Sequence, residues 1–201
     1  LLGKPFSRIS IFVSAIILLI FEQSADAHLV STGAGPFYDG SAHFFLTLEE
    51  ILPVIALSLF AGLRGAHYAR WIIVLLPLTW ILSALAAFQF PIMTLPPAAV
   101  SILMMLLPGA LLASDLKLSK KITIAITVFF GLLLGFLNGI AMTERSVLEI
   151  LGSATSALVV SVLSASLAVA LDYGWTRIAI RVAGSWLAAL GLLALGWSLR
   201  R

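Results

Sequence analysis

The sequence predicts an all-α fold: a polytopic transmembrane helix bundle of six spans after an N-terminal signal peptide. Three observations carry that prediction. Of 201 residues, 61% are hydrophobic and only 10% are charged, where a soluble domain holds about 25% charged residues. The mean hydropathy is +1.13. Finally, the apolar residues gather into runs of spanning or near-spanning length, and Lys and Arg sit at the ends of those runs.

The same composition excludes several classes of function. The net charge of +3 comes from only twelve Lys and Arg residues scattered along the chain, so they form no nucleic-acid surface and act as topology signals. There is no Cys, which removes disulfides, zinc-thiolate sites, iron-sulfur clusters and thiol catalysis. Any metal site must use His, carboxylate, Asn, Met or backbone. Catalytic templates are also missing: the chain has no G-x-S-x-G, H-E-x-x-H or phosphate-binding glycine loop.

In chain order, Lys4 and Arg8 precede an apolar run from Ile9 to Phe21 and then Ala25-Asp26-Ala27. This fits a secretory signal peptide over 1–27, or an uncleaved anchor helix. Cleavage would make His28 the new N-terminus. A polar segment, 28–48, is expected to face the periplasm, followed by a six-helix transmembrane domain over 49–201. Its apolar runs are read as 49–63, 71–89, 92–113, 122–142, 147–171 and 178–199, against the roughly 20 residues a helix needs to cross the hydrocarbon core. The connections around 64–70, 115–121 and 172–177 are the basic ones. The positive-inside bias therefore places them in the cytoplasm, in a bacterial inner membrane, with the mature N-terminus outside.

Packing signals are clearest in the later spans. Gly131, Gly135 and Gly139 repeat G-x-x-x-G and predict a smooth ridge on which another helix lies closely. Ala157, Ser161 and Ala165 offer a similar small face in the next span. Hydroxyls there either line a polar path or bond their own helix carbonyls. Pro91, Pro96, Pro97 and Pro108 predict an interrupted or kinked third span.

The topology gathers His28, Asp39, His43, Glu49, Glu50 and Glu144 on the outward side, where an arriving cation meets imidazole and carboxylate first. His43 precedes Glu49 and Glu50 by six and seven residues. Such a set suits divalent first-row ions. Thr47-Leu48-Glu49-Glu50 also reads as a capping box, with Thr47 as N-cap and Glu50 at the third helical position. Both readings of Glu50 stand at this point. Asp39, in Tyr38-Asp39-Gly40, reads equally as a turn residue. His28 offers an imidazole and, after cleavage, an α-amino group on one residue. Asn138 and Met142, four apart, share a helix face, and an amide in mid-span requires a partner: an inner ion site or an interhelical hydrogen bond.

Together the segments "GPFYDGSAHFFLTLEEILPVIALSLFAGLRG" and "FLNGIAM", the Ala-His at the signal-peptide end and the six spans resemble the HupE/UreJ family of bacterial membrane proteins over essentially the whole chain. The resemblance implies a nickel-type permease. It aligns His43 with the first His of a motif of His, five residues, then Asp-His, so that Glu49 and Glu50 stand where Asp and His would be. It also sets Asn138 and Met142 at the two histidines of a second motif. The expected partners are then the lipid bilayer and a divalent metal ion as substrate, with no permanently bound cofactor and no nucleic acid. A homo-oligomer, or a larger membrane complex in which the chain is a non-transporting accessory subunit or metal-delivery scaffold, fits the same residues.

Overall fold

A computed structural model of the chain describes residues 32–90, 97–142, 145–171 and 174–200. Among them lie seven helices and no strand: α1 (Pro36–Leu46), α2 (Leu48–Gly62), α3 (Ala66–Ala87), α4 (Pro97–Ser114), α5 (Lys120–Ala141), α6 (Val147–Ala170) and α7 (Gly174–Ser198). The expected signal peptide, His28, Pro91, Pro96 and Glu144 lie outside the described residues.

The helices α3, α5, α6 and α7 are each long and apolar enough to cross a membrane. The start of the bundle differs from the straight first span read at 49–63. Pro36–Leu46, inside the polar segment, is itself helical, and α1 and α2 meet at a 74° bend. α2 alone has 15 residues, about 22 Å of helix, which is short of a core about 30 Å thick. Only the bent pair together passes as a span. The break is local: Thr47 is extended, with φ −94° and ψ 99°, and serves as the C-cap of α1 and the N-cap of α2. Between α2 and α3, Gly65 turns the chain at φ +97°, a region closed to most side chains. Ser119 and Ser146 cap α5 and α6 through their hydroxyls, each satisfying an amide that the helix itself leaves open.

The bundle packs as two tight pairs around a centre. α3 lies on α5, α4 lies on α7, and α1, α2 and α6 fill the space between. The ridge of Gly131, Gly135 and Gly139 receives α3: a Cβ on Gly135 would lie 2.2 Å from the Trp80 carbonyl oxygen, and one on Gly139 would lie 2.6 Å from that of Ala84. The small face of α6 serves a different partner, since Gly62 of α2 packs on Ala165. One apolar cluster contains Phe44, Leu76, Trp80, Leu134 and Ile150. A second, with Phe60, Met105, Leu112 and Leu187, ties α2 to α4 and α7. Trp175, Trp186 and Trp197 on α7 are exposed, as the lipid-facing side of a membrane helix should be.

At the basic end, one carboxylate ties three elements together. Asp115, just past α4, accepts from Arg64 Nη1 at 2.7 Å and from Arg177 Nε and Nη2 at 2.7 and 2.9 Å. Arg64 also donates to the Leu116 carbonyl. The hydrogen bond from Arg177 holds the Asp115 carboxyl below its ordinary 3.8; partial burial opposes that shift, and the Arg64 bond and both guanidinium charges add to it. A lowered folded-state pKa contributes stability that is present above the ordinary value and lost as pH falls through the folded one. Asp115→Asn keeps a residue that tolerates the local φ of +51° and is expected to cost about 1–3 kcal/mol near neutral pH. Thermal unfolding of both proteins across pH checks this, and the gap between them should close below the ordinary carboxylate range.

Candidate cation site

The break at Thr47 builds the site. In one continuous helix, seven residues would separate His43 from Glu50 by about 10 Å along the axis. The bend instead brings His43 Nε2 to 3.5 Å from Glu50 Oε1. From across the bundle, α5 supplies Asn138, whose Nδ2 donates to the same Oε1 at 2.9 Å. Glu50 is 5% exposed and Asn138 fully buried. The sequence thus places Glu50 and Asn138 88 residues apart, and the fold makes them neighbours.

Thr47 is the N-cap of α2, as the spacing suggests, but its side chain makes no capping bond. The Glu50 carboxylate turns inward to Asn138 instead. The capping-box reading therefore yields the helix start and not the fate of its acid. Glu50 Oε2, Asn138 Oδ1 and Thr47 Oγ1 are all buried without a hydrogen-bond partner. Unpaired buried acceptors cost free energy. Here two of them, one a carboxyl oxygen and one an amide oxygen, lie on a hydrogen-bonded pair next to an imidazole. That is the donor chemistry of a small cation site: oxygen ligands with one borderline nitrogen.

The other polar and sulfur side chains lie outside this triad. Met142, the C-cap of α5, is buried in the cluster with Phe44, Trp80 and Ile150. Glu49 is half-buried one position before Glu50, about 100° around the helix. Asp39 accepts from the backbone N–H and hydroxyl of Thr32 at 2.5 and 2.6 Å. His67 is exposed at the basic end, beside the Tyr68 ring. No group of three or more His, Cys, Asp or Glu side chains able to hold a metal ion occurs among the described residues.

Sequence reading missed what holds His43 in place. α1 is clasped to α6 at Gly40 and Gly152: a Cβ on Gly40 would meet the Glu149 carbonyl oxygen at 2.0 Å, and one on Gly152 that of Phe37 at 2.0 Å. Ser153 Oγ donates to the Gly40 carbonyl at 3.0 Å, and Ser41 Oγ to that of Gly152 at 3.2 Å. The available signal was a Gly-Ser pair in each segment, Gly40-Ser41 and Gly152-Ser153. Phe44 then packs edge-on against Trp80, with ring centroids 5.8 Å apart.

Compared with known proteins, the chain matches the model of a family described as HupE / UreJ protein over residues 16–194. No curated protein and no solved structure matches it.

Proposed function

We propose, from the premise that this chain belongs to the HupE/UreJ family and is a transport-related membrane protein rather than an enzyme, that it is an inner-membrane permease for a divalent transition-metal ion. The ion enters from the acidic, periplasmic face and is held by His43, Glu50 and Asn138. His28, Asp39 and Glu49 form the approach, and Met142 lies beside the inner ligand. The observation that carries this reading is the buried Glu50–Asn138 hydrogen bond, because it joins the two stretches that resemble the family's motifs. Six crossings follow if the bent α1–α2 pair is one and α4 another, with the basic loops in the cytoplasm. The chain holds no ATP-binding motif, and the reading is of a facilitator or of a carrier driven by an ion gradient and the membrane potential.

The donor set belongs to a divergent branch of the family. Carboxylate, amide and thioether stand at Glu50, Asn138 and Met142 in place of imidazoles. That change moves ligation towards oxygen and weakens the preference for nickel over manganese, cobalt or zinc. The test is uptake by purified protein in liposomes, with nickel, cobalt, zinc, manganese and copper in turn. His43→Ala should reduce uptake of the carried ion by about 10–100-fold. Equal flux in wild type and variant would remove His43 from the site. Absence of flux with every metal, with the protein correctly inserted, would instead favour the accessory-subunit or metal-delivery role.

A further inference from the structure

Hydroxyls inside helices ordinarily bond a carbonyl one turn back, and most of those here do. Ser41, Thr79, Ser83, Thr123, Thr127, Ser153 and Ser185 each donate to the residue four before. Ser58 of α2 and Ser161 of α6 do not. Both are fully buried, and neither Oγ has a hydrogen-bond partner.

Their positions correspond. α2 and α6 run in the same direction and touch where Gly62 meets Ala165, a Cβ there lying 2.6 Å from the Ala165 carbonyl oxygen. Counting one turn back from that contact on each helix gives Ser58 and Ser161, each about 6 Å from it along its own axis. Two turns further back are Glu50 and Ser153. Glu50 and Ser58 are thus about 12 Å apart along the axis of α2, with fully buried Val54 between them. On the other side of the serines, Gly62 and Ala165 are in close contact.

We infer that Ser58 and Ser161 form a second, weaker cation station on the path inward from Glu50. This rests on the permease reading and deepens it. Two neutral hydroxyl oxygens cannot strip a divalent ion of its water, but they can replace part of its hydration while it moves between sites. A strong site at Glu50 followed by a weak one is what conduction requires, since an ion must bind well enough to enter and loosely enough to leave. The close Gly62–Ala165 contact beyond the serines means that the ion advances only when α2 and α6 shift apart.

The absence of native Cys makes the test direct. Ser58→Cys and Ser161→Cys, in full-length protein in liposomes, are treated with a small cationic thiol reagent, with Ni2+ and Mn2+ as probe cations. Both thiols should react, and saturating probe cation should slow the reaction severalfold. The Ser58→Ala/Ser161→Ala double variant should lose about fivefold or more in maximal uptake rate with little change in KM, since binding at Glu50 is untouched. Unreactive thiols together with wild-type uptake in the double variant would overturn the station while leaving the permease intact. Reactive, cation-protected thiols in a protein without flux would uphold the station as a binding site and overturn the permease.

Discussion

Glu50→Gln is expected to lower metal uptake by about a hundredfold or more, the largest functional effect of any single substitution in the chain. The variant keeps the shape of the side chain and can still meet Asn138, so it isolates the charge. Among the described residues, Glu50 is the buried carboxylate on which a ring nitrogen at 3.5 Å and an amide at 2.9 Å converge; without a carboxylate there, nothing offsets the desolvation of a divalent ion. Asn138→Ala should cost less, about tenfold, because it removes a neutral ligand. The double variant should fall well short of the product of the two effects, since both act on one hydrogen-bonded unit. Glu49→Gln, in the approach, should raise KM more than it lowers the maximal rate. Initial-rate uptake in liposomes measures all four. Multiplicative losses at Glu50 and Asn138 would mean that the two residues serve separate steps.

Gly135→Val is expected to produce the largest loss of stability. Its Cβ would lie 2.2 Å from the Trp80 carbonyl oxygen, 2.4 Å from Ser83 Oγ and 2.6 Å from the Trp80 Cα. Two of those three atoms are backbone and cannot rotate away. Replacing glycine in a helix ordinarily gains about 0.5–1 kcal/mol, but overpacking of this kind costs about 3 kcal/mol or more, so the steric effect wins. Gly196, with nothing within 4 Å of a Cβ, isolates the opposite balance: Gly196→Ala should be neutral or slightly stabilising. Thermal unfolding in detergent compares them. Gly135→Val should also lower uptake, because Asn138 lies one turn along α5 and moves with it. Full stability in Gly135→Val would mean that α3 and α5 do not meet as described.

Much of the architecture is legible in the sequence because its cause is local. Apolar runs mark the helices, since a helix satisfies its own backbone in lipid. The spacing of Gly131, Gly135 and Gly139 announces a close helix contact, and Thr47 announces a helix start. The partners are another matter. Nothing within α5 says that α3 lies on its glycine ridge, or that α6 offers its small face to α2. The bend at Thr47 was hidden because 28–48 reads as a polar segment and not as a helix; that Pro36–Leu46 is helical shows only in the structure, where α1 is clasped onto α6.

The candidate site divides in the same way. His43, Glu50 and Asn138 stand out in the sequence because a polar side chain next to or inside an apolar run is costly without a reason. Whether Glu50 caps its own helix or turns inward depends on what lies across the bundle, and so does Asn138's choice of partner. The sequence by itself determined a membrane-embedded helical chain with most of its scarce imidazoles and carboxylates at one end and most of its basic residues at the other, because hydropathy and charge act along the chain. Only the tertiary structure decided that Glu50 meets Asn138 and that Gly62 packs on Ala165, because those contacts depend on which helices touch and in what register, and packing between distant segments sets both.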